Sequence, residues 1–114
     1  MKSKHLSSFL TPLVLFLALL AQPSVAGTSI VRGRLFRVVP NGQSFPAQGI
    51  AVTVVNPQLG RSNASYSGPD GMYYLYNIPP GFYTLEIWSS NPPMVFQIQV
   101  YDQPYTDIAP IQVP

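Results

Sequence analysis

Cysteine is absent from all 114 residues. No disulfide can staple this chain, and no thiol is available as a nucleophile or metal ligand. The only histidine is His5, and no lysine follows Lys4. Beyond residue 5 the chain therefore lacks the side chains that most often serve as general base or nitrogen ligand. A Ser or Thr nucleophile needs such a base beside it. Zinc needs His or Cys, because carboxylates alone rarely hold it. Calcium needs clustered oxygen ligands, and the turn Gly68-Pro69-Asp70-Gly71 offers one carboxylate. Carboxylate pairs are the catalytic option that remains, from Asp70, Glu86, Asp102 and Asp107. Asp70 suits a turn, Asp102 a loop, Glu86 an outward strand position and Asp107 a strand start. None of these is the facing pair that glycoside chemistry requires. The expectation is a protein with no catalytic residue, no metal and no cofactor.

Charge is also scarce, at 9% of residues. Arg32, Arg34, Arg37 and Arg61 balance the four acids, so the formal net charge of +2 resides in Lys2 and Lys4. A neutral domain has no long-range field to draw in nucleic acid or an anionic membrane.

A helical pattern is missing too, outside the first residues. Lys2 and Lys4 precede an apolar run from Phe9 to Ala21, and Ser24-Val25-Ala26 places small residues where a signal peptidase reads. This predicts a signal peptide over 1–26, with cleavage after Ala26 and export to a periplasm or the extracellular space. The run is shorter than the roughly 20 residues of a membrane span, so no stable span is expected after cleavage. No cysteine follows it to carry a lipid. One domain, 27–114, remains.

That domain must fold on its core alone. Prolines and glycines divide it into seven short runs rich in β-branched and aromatic residues: 29–38, 50–56, 61–67, 72–78, 82–89, 94–101 and 107–113. Seven strands at this spacing predict an all-β sandwich or barrel. Pro110 interrupts the last run, which should be an edge or bulged strand. Alternation assigns faces. Val31, Gly33 and Leu35; Ile50, Val52 and Val54; Tyr73 and Leu75; Tyr83, Leu85 and Ile87; and Phe96, Ile98 and Val100 are expected inside. Gly33 should let a bulky residue of the opposite sheet pack across it, or mark a bulge. Pro79-Pro80-Gly81 should reverse the chain. Asn63-Ala64-Ser65 fits the glycosylation acceptor triplet, a pattern common by chance.

"VRGRLF", "GIAVTV", "GPDGMYYLYNIPPGFYTLEIW" and "TDIAPIQV", in this order, resemble the carboxypeptidase regulatory-like domain. The resemblance covers roughly residues 29–113. Its most specific part is Asp70-Gly71-x-Tyr73-x-Leu75 with Ile78-Pro79-Pro80-Gly81-x-Tyr83-x-Leu85-x-Ile87. It implies a seven-stranded transthyretin-like (prealbumin-like) β-sandwich. It also implies a non-enzymatic accessory role. The self-cross-linking chemistry of neighbouring adhesin domains needs a lysine, and small transthyretin-like hydrolases need a histidine; residues 27–114 contain neither.

The outward phase is unusually aromatic. Met72, Tyr74, Tyr76, Phe82 and Trp88 alternate with the expected core, and Tyr66 and Tyr101 are placed to join them. Cross-strand pairing alone can explain aromatics on a sheet surface, at about 0.2–1 kcal/mol each. A contact face is the functional alternative, because Tyr and Trp favour interfaces. The candidate face is Tyr74, Tyr76, Phe82 and Trp88, rimmed by Arg32 and Arg34, whose other reading is a charged, aggregation-resistant edge. The first functional reading is an exported interaction module that binds an envelope or extracellular protein, or itself. The second is a carbohydrate-binding module that stacks sugars on Tyr74, Tyr76 and Trp88. A purely structural accessory is the third. The sequence shows no cluster of Asp, Asn and Gln beside those rings to hold sugar hydroxyls, which ranks protein contact first.

Overall fold

Val and Ile crowd a helical turn and sit comfortably on a pleated surface, so the β-branched runs settle as strands. The computed structural model describes residues 27–114; the predicted signal peptide, 1–26, lies outside the described residues. Ten strands follow one another: β1 (Ser29–Val38), β2 (Ser44–Pro46), β3 (Ala51–Asn56), β4 (Gly60–Arg61), β5 (Ser65–Tyr66), β6 (Met72–Ile78), β7 (Gly81–Ile87), β8 (Met94–Val100), β9 (Tyr105–Asp107) and β10 (Ile111–Gln112). β1, β2, β6, β9 and β10 make one sheet; β3, β4, β5, β7 and β8 make the other. Pairing is antiparallel, except that β9 and β10 run parallel to β1. The sheets share one core in a sandwich-like arrangement. No helix among the described residues is long and apolar enough to cross a membrane.

Ten strands replace the seven expected runs for local reasons. The 61–67 run divides into β4 and β5, and between them Ser62 bonds to both backbone groups of Val54. The last run, expected over 107–113, is a strand only at its two ends: β9 starts earlier, at Tyr105, and stops at Asp107, and β10 begins after Pro110, which has no N–H to give a ladder. β9 and β10 pair with different halves of β1. β2 is only three residues long and ends in proline, so it reads as loop in the sequence.

Period two places the core. Val31, Leu35, Val52, Tyr73, Leu85 and Ile87 are fully buried, and Ile50, Val54, Leu75, Tyr83 and Val100 nearly so. Phe96 departs from the expectation. It is 37% exposed, because β8 ends its sheet and no strand among the described residues lies beyond it. Gly33 is overlain by Tyr73, its cross-strand partner in the same sheet and not a residue of the opposite one. A Cβ on Gly33 would strike the Tyr73 ring and hydroxyl.

The turn before β6 depends on Gly71. Asp70 Oδ1 accepts the Met72 N–H at 2.9 Å, and Gly71 takes φ +80°. That backbone also brings the Gly71 carbonyl to the Leu35 N–H at 2.8 Å. Pro79-Pro80-Gly81 does more than reverse the chain. β6 belongs to the first sheet and β7 to the second, so this segment carries the chain from one sheet to the other. Asn77 (φ +58°) begins the crossing, and Tyr83 anchors it by donating its hydroxyl to the Pro79 carbonyl at 2.7 Å.

Gly71→Val should be severely destabilising. The position has positive φ, and any Cβ would collide with the Leu35 carbonyl oxygen. Urea unfolding should show a loss of about 3 kcal/mol, from strain plus overpacking; an unchanged midpoint would mean that the turn is built differently.

Candidate contact surfaces

Because the chain changes sheets at Pro79-Pro80-Gly81, the six candidate contact residues do not form one face. Arg32, Arg34, Tyr74 and Tyr76 lie on the outer face of the first sheet, and Phe82 and Trp88 on that of the second. The single face expected from alternation is therefore two faces on opposite sides of the sandwich.

The first-sheet face is centred on Arg32. β1 lies between β6 and β9, so Arg32 has Tyr74 on one side and Asp107 on the other. Its Nε donates to Asp107 Oδ1 at 2.5 Å. Its guanidinium carbon sits 3.8 Å from the centre of the Tyr105 ring, a cation–π arrangement. The hydrogen bond from Arg32 holds the Asp107 carboxyl below its ordinary range. Tyr74 and Tyr76, two apart on one strand, stack with ring centres 6.3 Å apart and planes at 22°. Tyr74, Tyr76 and Tyr105 remain substantially exposed. Tyr105 and Asp107 join this face with no signal in the sequence: only parallel pairing to β1 brings them beside Arg32. Arg34 stands apart, with a long 3.3 Å contact from its Nε to the Asp70 carbonyl.

Beside this face, toward β4 and β5, lie two contiguous open clefts of about 250 and 270 Å³. Both are lined by Ser62, Asn63, Tyr76 and Asn77; the second also touches Tyr74 and Ser65. Amides and hydroxyls thus do cluster beside the stacked rings. The cluster has no signal in the sequence, where Asn63 and Asn77 lie far apart.

The second-sheet face is built differently. Thr53 and Glu86 are cross-strand partners whose side chains point outward yet are almost fully buried. Arg61 covers them, with Nε 2.8 Å from Glu86 Oε1 and a terminal nitrogen 2.9 Å from Oε2. Thr53 donates to Glu86 Oε1 at 2.7 Å and accepts the Trp88 indole N–H at 3.0 Å. Trp88 is therefore a partly buried member of a polar network on the second sheet, with its indole N–H already partnered. Phe82, on the same strand, is 71% exposed.

Three of the four carboxylates thus have structural partners: Asp70 in its turn, Glu86 with Arg61 and Asp107 with Arg32. No family model matches the chain.

Arg61, with help from Thr53 and against the opposing effect of burial, holds the Glu86 carboxyl below its ordinary value. A carboxylate whose pKa is lower folded than unfolded contributes stability above the unfolded value, near 4.3, and loses it as pH falls through the folded value. Glu86→Gln should lower stability at pH 7 by about 1–2 kcal/mol and flatten the acid limb of a stability–pH profile measured by urea unfolding. An acid limb as steep as that of the unmodified protein would remove Glu86 from this role.

Proposed function

We propose that this protein is an exported, non-catalytic interaction module of the carboxypeptidase regulatory-like, transthyretin-like type, which binds an envelope or extracellular protein through the outer face of its first sheet. The observation that carries the reading is the group Tyr74, Tyr76, Tyr105 and Arg32: one oriented guanidinium between the exposed rings of Tyr105 and Tyr74, with Tyr76 stacked on Tyr74. Tyr and Arg are residues on which interface energy concentrates, because they bury large rigid area and still offer polar tips. Arg32 is already oriented by Asp107 and Tyr105, so little side-chain entropy is lost when a partner covers it. The partnered carboxylates support the non-catalytic half of the reading.

Carbohydrate is the second reading, and the clefts favour it. A sugar stacked on Tyr74 or Tyr76 would have Asn63, Asn77, Ser62 and Ser65 within the same depression to meet its hydroxyls. Trp88 has no part in that site.

The double variant Tyr74→Ala/Tyr76→Ala tests both readings. Its rings point outward, so its melting temperature should stay within a few degrees of that of the unmodified protein, while capture of a protein from envelope extract falls at least about tenfold, as for loss of an interface anchor. Saturable perturbation of tyrosine fluorescence by oligosaccharides, lost in Asn63→Ala and Asn77→Ala, would favour the sugar reading. Undiminished protein capture by the double variant would remove the first sheet's face from the function.

A further inference from the structure

β8 is an edge strand whose only partner among the described residues is β7. The register shows which of its backbone groups are free. Trp88 donates its N–H to the Ala51 carbonyl at 2.9 Å, so the even-numbered residues of β7 bond toward β3. The odd ones, Gly81, Tyr83, Leu85 and Ile87, must then bond toward β8, where they meet Val100, Ile98, Phe96 and Met94. This leaves the N–H and C=O groups of Val95, Gln97 and Gln99 directed away from the sheet. The next N–H of that set, at Tyr101, goes to Thr106 Oγ1 at 3.3 Å, as the alternation requires.

Natural edges are usually blunted by proline, charge or a bulge. Met94–Val100, MVFQIQV, has no proline and no charge, and its register with β7 is unbroken. Exposed apolar side chains gather here as well. Val95 is 55% exposed, Phe96 37%, and Phe82, paired with Gln99, 71%.

We propose that β8 pairs antiparallel with β8 of a second copy of this chain, about a two-fold axis at Gln97. The strand is complementary to itself, and this selects the occupant. With Gln97 facing its own counterpart, Val95 faces Gln99, and the three outward-directed residues of each copy form hydrogen-bonded pairs, about six main-chain bonds in all. Phe96 then faces Ile98 and Met94 faces Val100, so the inner phase continues across the axis. On the outer surface, Phe82 flanks the Gln99–Val95 pair. No charge lies on the strand to repel its copy. The two second sheets become one continuous sheet, and the edge is closed. This pairing is independent of the reading of the first sheet's outer face, and either can fail alone.

Protein expressed from the full 114-residue sequence is examined by sedimentation velocity from micromolar to submillimolar concentration, and a monomer–dimer equilibrium is expected. Gln97→Lys sets two like charges opposite each other and should weaken the dimer at least about tenfold. Mixing Gln97→Lys with Gln97→Glu protein should restore dimers, because only a residue that meets its own counterpart gives that result. Circular dichroism confirms that both variants fold. The chain has no cysteine, so Gln97→Cys introduces one unambiguous thiol. Hydrogen-bonded antiparallel partners lie about 5.5 Å apart at Cα, within disulfide reach, so mild oxidation should cross-link Gln97→Cys and leave Gln43→Cys monomeric. A protein that remains monomeric throughout would overturn the proposal. So would a dimer that tolerates Gln97→Lys but is broken by Tyr74→Ala/Tyr76→Ala, or equal cross-linking at positions 43 and 97.

Discussion

The first sheet depends on β1, which pairs with all four of its other strands. Its first half holds β6 and β9, and its second half holds β2 and β10. The changeover lies at Gly33 to Leu35. There Tyr73 crosses the glycine, and Leu35 takes the Gly71 carbonyl with its N–H and gives its own carbonyl to the Ala47 N–H at 2.9 Å. Nearer the strand's start, the buried hydroxyls of Ser29 and Thr106 meet at 2.8 Å and tie β9 to β1. Small domains are typically stable by about 5–15 kcal/mol, and removing one buried aromatic costs about 3–5 kcal/mol. Without a disulfide, the fit of Tyr73 over Gly33 is thus a large share of what keeps the sheet intact. Burial is deep enough there to push the phenol of Tyr73 well above its ordinary pKa.

β1 also determines what each surface can do. Arg32 faces outward between β6 and β9, and both neighbours contribute to its setting: Tyr74 from one side, Tyr105 and Asp107 from the other. The chain then leaves this sheet at Pro79-Pro80-Gly81, so the aromatics after it serve the other side of the sandwich. Trp88 is drawn into the Thr53–Glu86–Arg61 network, which shields an ion pair on an outer face. Phe82 stays free beside the open edge at β8. Two sheets give two unlike surfaces: one of oriented tyrosines and an arginine, the other a covered ion pair next to a strand with one open edge.

The core was legible in the sequence because period-two burial is a local property. Val31, Leu35, Val52, Tyr73, Leu85 and Ile87 each announce their face by alternation. The partners of each strand are not local, and the errors follow from that. Phe96 alternates like a core residue but lies on an edge, and edges are made by topology. Phe82 and Trp88 alternate like Tyr74 and Tyr76, but a turn that changes sheets looks in sequence like one that stays. Tyr105 and Asp107 reach Arg32 through a parallel pairing, and Asn63 and Asn77 line the same clefts; neither juxtaposition has a signal along the chain.

The division of the aromatics between two opposite faces is tested most directly by nuclear Overhauser contacts of the assigned rings in solution. Cross-peaks are expected from the Tyr73 ring to the Gly33 α-protons and from the Arg32 side chain to the rings of Tyr105 and Tyr74, with none from Tyr74 or Tyr76 to Phe82 or Trp88. Cross-peaks joining Tyr74 to Trp88 or Phe82, or a Tyr73 ring without contact to Gly33, would contradict the arrangement of β6 and β7 on separate sheets around β1.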